Sequence, residues 1–120
     1  MRRAIAVAAP YRPHPNPRVG ALLVTPDGTV IAEGAHVAAG TDHAERVVLD
    51  SVDEIPPDAA LIVTLEPCTH QGRTPPCAQF IVERGVRRVV VGALDPDSRV
   101  AGRGIETLRR AGIAVEVEVE

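Results

Sequence analysis

The chain has 120 residues, of which 45% are hydrophobic and 2% aromatic, and its formal net charge is -3. This length fits one domain over residues 1–120, with a core of Val, Leu, Ile and Ala. The acidic balance excludes a general attraction to nucleic acid, and no run approaches the ~18 apolar residues of a membrane span. A short apolar run ends at Pro10, too early for a signal peptide, so a cytoplasmic protein is expected.

The first half of the chain predicts a helix, a β-hairpin and a second helix. Residues 2–9 favour a short helix, and the next eight residues contain four prolines, which favours an irregular loop. Two apolar runs, 19–25 and 29–34, are joined by Pro-Asp-Gly and predict a β-hairpin. A helix is expected from Asp42, which can cap its free N–H groups, with Glu45 three residues later as in a capping box.

The second half of the chain alternates predicted strands with predicted helices. Strands are expected at residues 60–65, 87–92 and 113–119, and helices at 75–84 and 102–111. The last strand alternates Val with Glu, which is typical of an edge strand with one face in solvent. Because strands separated by helices pair in parallel, the sequence predicts an α/β fold. Its mixed five-stranded sheet, a hairpin plus parallel strands, lies between helices.

Residues that suit a zinc site lie at two places in the chain. Catalytic zinc takes three protein ligands and leaves one position for water, and His43, Cys68 and Cys77 can supply three. Two thiolates and an imidazole neutralise the ion, so its water needs a base, for which Glu45 is the candidate. The order His-x-Glu, Pro-Cys and Cys matches a signature of nucleobase deaminases. Eight residues separate the cysteines, however, where the signature has two.

Each of these residues also has a simpler interpretation. Glu45 alone is as readily a capping-box residue, and a lone histidine such as His43 is more often a cap or a core residue. The two cysteines can form one disulfide, although in a reducing compartment metal binding is the more natural role. The joint pattern of all four residues favours the zinc site.

Several short motifs follow one another along the chain: PNPRVG at 15–20, GAH at 34–36, HAE at 43–45, EPCTHQGRTPPC at 66–77, DP at 95–96 and GRG at 102–104. Together they resemble the deaminase domain of the bacterial riboflavin-biosynthesis bifunctional deaminase–reductase. The motif at 66–77 is the most specific, because other cytidine-deaminase-like families mostly use the short cysteine spacing. The resemblance covers nearly the whole chain and implies a three-layer α/β/α cytidine-deaminase-like fold.

The resemblance also implies a reaction and a set of site residues. A zinc-dependent aminohydrolase of this family hydrolyses one exocyclic amine of a diaminopyrimidinone ribosylamine 5-phosphate and releases ammonia. Zinc would be bound by His43, Cys68 and Cys77, and Glu45 would carry protons. Substrate contacts are expected from five polar residues that would otherwise be turn or solvated loop residues: Asn16, His36, His70, Arg73 and Asp95.

Some features depart from the family pattern and keep other hypotheses open. No reductase domain is expected in the chain, so a separate reductase is the expected partner, and the first helix starts later than usual. Asp97 stands where the family usually has Asn, which leaves the substrate open. The alternatives are a deaminase of another nucleoside, base or aminoheterocycle, and a non-catalytic zinc domain. RNA editing is disfavoured by the acidity and the few aromatic residues. The resemblance implies a homo-oligomer, most commonly a dimer.

Overall fold

A computed structural model of the chain describes residues 1–9, 19–36, 43–69, 76–94 and 101–117. The described elements come in the predicted order, with ends within about two residues of the expected ones. In chain order they are α1 (Arg2–Ala8), β1 (Gly20–Val24), β2 (Val30–Ala35), α2 (Ala44–Asp50), β3 (Ala60–Val63), α3 (Cys77–Glu83), β4 (Arg88–Val91), α4 (Arg103–Arg110) and β5 (Ala114–Val117).

The strands form one mixed sheet in the order β2-β1-β3-β4-β5. Strand β1 is antiparallel to both β2 and β3, whereas β3, β4 and β5 run parallel. The hairpin turn is closed by the Thr25 N–H, which donates to the Thr29 carbonyl at 3.0 Å. The Asp27 carboxylate accepts the Thr29 N–H at 3.1 Å, and Gly28 takes a φ of 89° that favours glycine. The predicted hairpin and mixed five-stranded sheet are therefore confirmed.

Helices cover both faces of the sheet. The hairpin register places Gly20 and Gly34 on opposite faces. A Cβ on Gly20 would lie 1.9 Å from the carbonyl oxygen of Ala4 in α1, and one on Gly34 would lie 2.6 Å from Cγ1 of Val47 in α2. Helices α2, α3 and α4 pack side by side, so α1 is the one described helix on the other face. The predicted three-layer α/β/α arrangement is confirmed, and none of the described helices is long and apolar enough to cross a membrane.

The main core fills the space between the sheet and the layer of α2, α3 and α4. It is aliphatic, as the composition predicts, because alternate strand positions point toward these helices. Strand β5 is the predicted edge strand, and Val117 remains 39% exposed there. The larger side chains of the core are Leu23, Leu61, Val63, Val89 and Val91 from the strands, and Val48, Leu49, Ile81, Ile105 and Leu108 from the helices.

One arginine ties α2 to α3 at their C-terminal ends. The guanidinium of Arg84 donates from Nη1 to the Leu49 carbonyl at 2.6 Å and from Nη2 to the Val52 carbonyl at 3.0 Å. These carbonyls lie at the end of α2, where helices leave acceptors without an intrahelical partner. The two helices are thus held side by side, and their N-terminal ends come together at the site described next.

Candidate metal centre

Three potential metal ligands meet where α2 and α3 begin, close to the end of β3. His43 is the N-cap of α2, Cys77 is the first residue of α3, and Cys68 lies five residues after β3. Nδ1 of His43 lies 3.2 Å from Sγ of Cys77 and 3.8 Å from Sγ of Cys68. All three ligand atoms lie within 4.8 Å of one another, so residues far apart in the chain converge on one point.

The spacing and chemistry of these atoms fit zinc. Zn–S and Zn–N bonds of ~2.3 and ~2.05 Å at tetrahedral angles separate a sulfur from a nitrogen by about 3.6 Å. The observed separations of 3.2 and 3.8 Å bracket that value. Both cysteines are free thiols, so the disulfide interpretation is wrong for this structure. Two thiols and one imidazole are also a ligand set that catalytic zinc uses, with a fourth position left for water.

The start of α3 binds Cys68 through its backbone. Pro76 is the N-cap of this helix, with an extended ψ of 143°, and Cys77 is the first helical residue. The sequence predicted an earlier start, at residue 75. With the later start, the Cys77 N–H donates to Sγ of Cys68 at 3.3 Å, and the Ala78 N–H donates to the Cys68 carbonyl at 3.1 Å. Cys68 is therefore held from the α3 side at both its sulfur and its carbonyl oxygen.

Hydrogen bonds among the candidate ligands favour a thiolate at Cys68. A hydrogen bond from the Cys77 thiol, and then one with His43, lowers the pKa of Cys68 to about 4. The pKa of Cys77 is raised, because it keeps its proton in that same bond and is buried. The pKa of His43 is raised, chiefly by its hydrogen bond to Cys68. The hydrogen bond between the two sulfurs therefore favours a thiolate at Cys68 and a thiol at Cys77, and a bound cation would displace the thiol proton.

Glu45 is a buried carboxyl beside these ligands. It is 3% exposed, and burial raises its pKa to about 6, while bonds with its own N–H and with the Cys77 thiol act against that rise. Because His43 is the N-cap of α2, Glu45 stands at the second helical position, and a capping box requires the third. The capping-box interpretation is therefore wrong, and the predicted cap, Asp42, lies outside the described residues. A carboxyl that titrates near neutral pH suits acid–base chemistry.

Of the five expected substrate contacts, the structure describes His36. It is buried just after β2, and its ring meets that of His43 edge to face, with centroids 5.1 Å apart. Its backbone N–H donates to the Val19 carbonyl at 3.0 Å. His36 therefore lies next to a potential metal ligand. The other four expected contacts lie outside the described residues: Asn16, His70, Arg73 and Asp95.

The sequence assigned no role to Glu66, yet its side chain binds the start of α4. Its carboxylate accepts the N–H groups of Gly102 and Gly104, each at 2.9 Å, and of Ile105 at 3.3 Å. Gly102 has a φ of 85°, and a Cβ on Gly104 would lie 2.1 Å from the Pro67 carbonyl oxygen. The signal in the sequence was an acidic residue directly after an apolar strand, together with a Gly-x-Gly start of a later helix.

Comparison with known proteins agrees with this site. Residues 1–93 match the family described as the cytidine and deoxycytidylate deaminase zinc-binding region. The riboflavin biosynthesis protein RibD of Aquifex aeolicus is 51% identical over 106 residues, which cover 88% of this chain and 30% of that protein. The diaminohydroxyphosphoribosylamino-pyrimidine deaminase of Buchnera aphidicola is 37% identical over 119 residues, which cover 98% of this chain and 80% of that protein.

A solved structure of a similar protein supports the same fold. A diaminohydroxyphosphoribosylaminopyrimidine deaminase/5-amino-6-(5-phosphoribosylamino)uracil reductase from Thermotoga maritima superposes with a TM-score of 0.88 at 46% sequence identity. The match covers 98% of this chain and 34% of that one. The chain thus spans about a third of the length of its RibD relatives. The predicted cytidine-deaminase-like fold is confirmed.

Proposed function

Because the chain belongs to the family of zinc-binding cytidine and deoxycytidylate deaminases, we propose that it hydrolyses an exocyclic amine of an aminopyrimidine. The observation that carries this proposal is the buried Glu45 carboxyl beside the convergent nitrogen and sulfur atoms of His43, Cys68 and Cys77. Its cofactor is zinc, because the family is zinc-binding and the His-Cys-Cys group fits that ion.

We assign the three metal ligands to Nδ1 of His43 and the Sγ atoms of Cys68 and Cys77. Their separations, the free thiols and the thiolate character of Cys68 support this assignment. Zinc held by these residues would supply an activated water. Two thiolate ligands offset the charge of the ion, so the water depends on a neighbouring base to lose its proton.

Glu45 is that base in our proposal. Its carboxylate takes a proton from the attacking water and gives it to the ring nitrogen beside the carbon that carries the amine. It then helps to protonate the leaving amine, so that the C–N bond breaks as a carbonyl and ammonia form. A pKa raised to about 6 by burial supports both roles, because the group can accept and return a proton near neutral pH.

The substrate that we propose is a diaminopyrimidinone that carries ribosylamine 5-phosphate, as the name of the Buchnera relative indicates for that protein. Arg73 would pair with the phosphate as a bidentate donor, and Asn16 would bind the pyrimidine edge through its amide. His36, His70 and Asp95 complete the proposed contacts. The position of His36 against His43 supports its part in this set.

The wider organisation also forms part of the proposal. Residues 1–120 would constitute one deaminase domain, and a reductase would act on its product. The name of the Thermotoga protein, which joins a deaminase to a reductase, supports the pairing of these two activities. We further propose a homodimer in the cytoplasm, without nucleic acid as a partner. Sedimentation equilibrium of the purified chain tests the dimer, and a monomer at all concentrations would contradict it.

Ammonia release tests the proposed activity. The zinc-loaded chain should release ammonia from the diaminopyrimidine phosphate, with cytidine and deoxycytidylate as comparison substrates. Glu45→Gln should keep about one zinc per chain and lose turnover by at least the ~100-fold that acid–base groups supply. The matched control Glu83→Gln, at an exposed carboxylate of α3, should retain full activity.

The outcomes separate the hypotheses. Turnover of cytidine or deoxycytidylate alone would overturn the substrate and favour a related deaminase. Zinc binding without turnover of any of the three would favour a non-catalytic zinc domain. Activity that persists in Glu45→Gln would refute the role of Glu45.

A further inference from the structure

Glu66 joins three parts of the fold that support the metal centre. It lies two residues before Cys68 and is 6% exposed. Its backbone N–H donates to the Ala93 carbonyl just after β4, at 2.9 Å. Its carboxylate accepts the N–H of Gly102 at Oε1 and those of Gly104 and Ile105 at Oε2. One residue therefore binds both the end of β4 and the start of α4.

The cap of α4 comes from a distant part of the chain. Helices usually obtain this cap from a Ser, Thr, Asp or Asn at the N-cap position itself. Here Gly102 occupies that position and offers no side chain, so the acceptor is supplied by Glu66 from 36 residues away. A carboxylate suits this place, because it has acceptor oxygens only and its negative charge is favourable at a helix N-terminus.

The hydrogen bonds from α4 to Glu66 are accompanied by close packing of the α4 backbone on Pro67, the residue before Cys68. Because a Cβ on Gly104 would lie 2.1 Å from the Pro67 carbonyl oxygen, the backbone of α4 packs directly on Pro67. Cys68 is held from the opposite side by the first N–H groups of α3, at its sulfur and its carbonyl. The segment from Glu66 to Cys68 is thus clamped between the starts of two helices.

We propose that Glu66 is a positioning residue of the metal centre. Its carboxylate locks the start of α4 against Pro67, so that Cys68 stands in its ligand position before the metal arrives. The inference rests on the proposed ligand role of Cys68, but not on any substrate. It explains the Gly102-Arg103-Gly104 motif. Gly102 has no side chain to cap the helix, so Glu66 caps it, and Gly104 has no Cβ, so the Pro67 carbonyl can approach the helix backbone.

Glu66→Gln tests this proposal. Glutamine keeps the shape but has one acceptor oxygen, and its NH₂ group would face an N–H donor. Substitution of residues that support metal ligands without binding the metal weakens metal binding roughly 10–100-fold. We expect about tenfold faster release of zinc to a chelator, because Glu66 acts on Cys68 through one further residue. The thiolate-to-cobalt absorption band of the Co²⁺-loaded protein should also shift, which a loss of general stability would not cause.

Glu106→Gln is the matched control. Glu106 lies in the first turn of the same helix, is exposed, and pairs with Arg110 at 2.5 Å. The substitution likewise removes one negative charge near the start of α4, but without touching residues 66–68, so zinc release should stay within about twofold of the native chain. If Glu66→Gln does not fold, Gly102→Ala replaces it. That change strains one donor of the cap while its Cβ meets open space, and zinc release should still exceed that of the control.

Two results would overturn the proposal. One is unchanged zinc release together with an unchanged cobalt spectrum in Glu66→Gln, or in Gly102→Ala if the former does not fold. The other is an equal acceleration of zinc release in Glu106→Gln. That result would show that Glu66 acts only through its charge at the helix N-terminus and not by positioning Cys68. Neither measurement needs a substrate, so a failed search for deaminase activity would leave them valid.

Discussion

Replacing Glu45 by Gln should make the metal-free protein more stable at neutral pH. Burial raises the pKa of this carboxyl from 4.5 to about 6. The folded state therefore binds the proton more tightly than the unfolded chain, and the carboxyl costs stability as the pH rises from 4.5 to 6. At ~1.36 kcal/mol per pKa unit, the cost reaches about 2 kcal/mol above pH 6. Glutamine is uncharged at every pH and avoids this cost.

Urea unfolding of both proteins, with chelator and reductant present, measures the effect. The free energy of unfolding of Glu45→Gln minus that of the native chain should rise by about 2 kcal/mol between about pH 4 and about pH 7.5. The same difference for Glu106→Gln, whose carboxylate is exposed, should stay nearly flat. A Glu45→Gln difference that does not change with pH would refute the claim that burial controls this carboxyl. A gain in stability with a loss of turnover is the usual trade-off at an active site.

Three further predictions concern the support of the site and its ligands. Arg84→Met removes two charged hydrogen bonds to the end of α2 and should lower the free energy of unfolding by roughly 1.5–3 kcal/mol, measured with urea. Its control, Arg88→Met, loses an exposed pair with Glu116 and should cost less than about 1 kcal/mol; equal losses would contradict the role of Arg84 in joining α2 to α3. Leu108→Ala opens the fully buried core beneath α4 and should cost about 2–5 kcal/mol in the same assay, whereas a loss below about 1 kcal/mol would contradict its burial. Cys77→Ser should lower the zinc content to well below one ion per chain and keep the helical circular dichroism; a full zinc complement would remove Cys77 from the ligand set.

The elements of the fold follow from local patterns in the sequence. The Pro-Asp-Gly turn and its flanking apolar runs specify the hairpin, because Asp27 and Gly28 close the turn within a few residues. The strands and helices of the second half follow from their alternation. The helix starts at the site were less accurate. The sequence placed them at Asp42 and residue 75, whereas the helices begin at Ala44 and Cys77.

The misplaced helix starts have one physical origin. Capping rules consider the side chain that satisfies the free N–H groups of the same helix. Here the N-cap positions belong to His43 and Pro76, neither of which makes a side-chain cap bond. The first N–H of α3 binds the sulfur of Cys68 instead, across nine positions of the chain. The candidate ligands could be named from motif and spacing, but their geometry could not.

The role of Glu66 required the three-dimensional structure. Its carboxylate meets Gly102 and Gly104 only because β3 pairs with β4 in parallel, and this brings the ends of the two strands side by side. No local rule predicts which acidic residue caps a helix 36 positions later. The sequence placed Glu66 in the most specific motif of the chain, and the structure connects it to the GRG motif.

Ammonia release by the zinc-loaded chain is the direct test of the proposed deaminase activity. Purified protein with about one zinc per chain would be incubated with the diaminopyrimidinone ribosylamine 5-phosphate, with cytidine and deoxycytidylate in parallel. We expect one ammonia for each molecule of the first compound consumed, and release at least ~100-fold slower with Glu45→Gln. Zinc-loaded native protein that releases no ammonia from any of the three compounds would contradict the proposed activity.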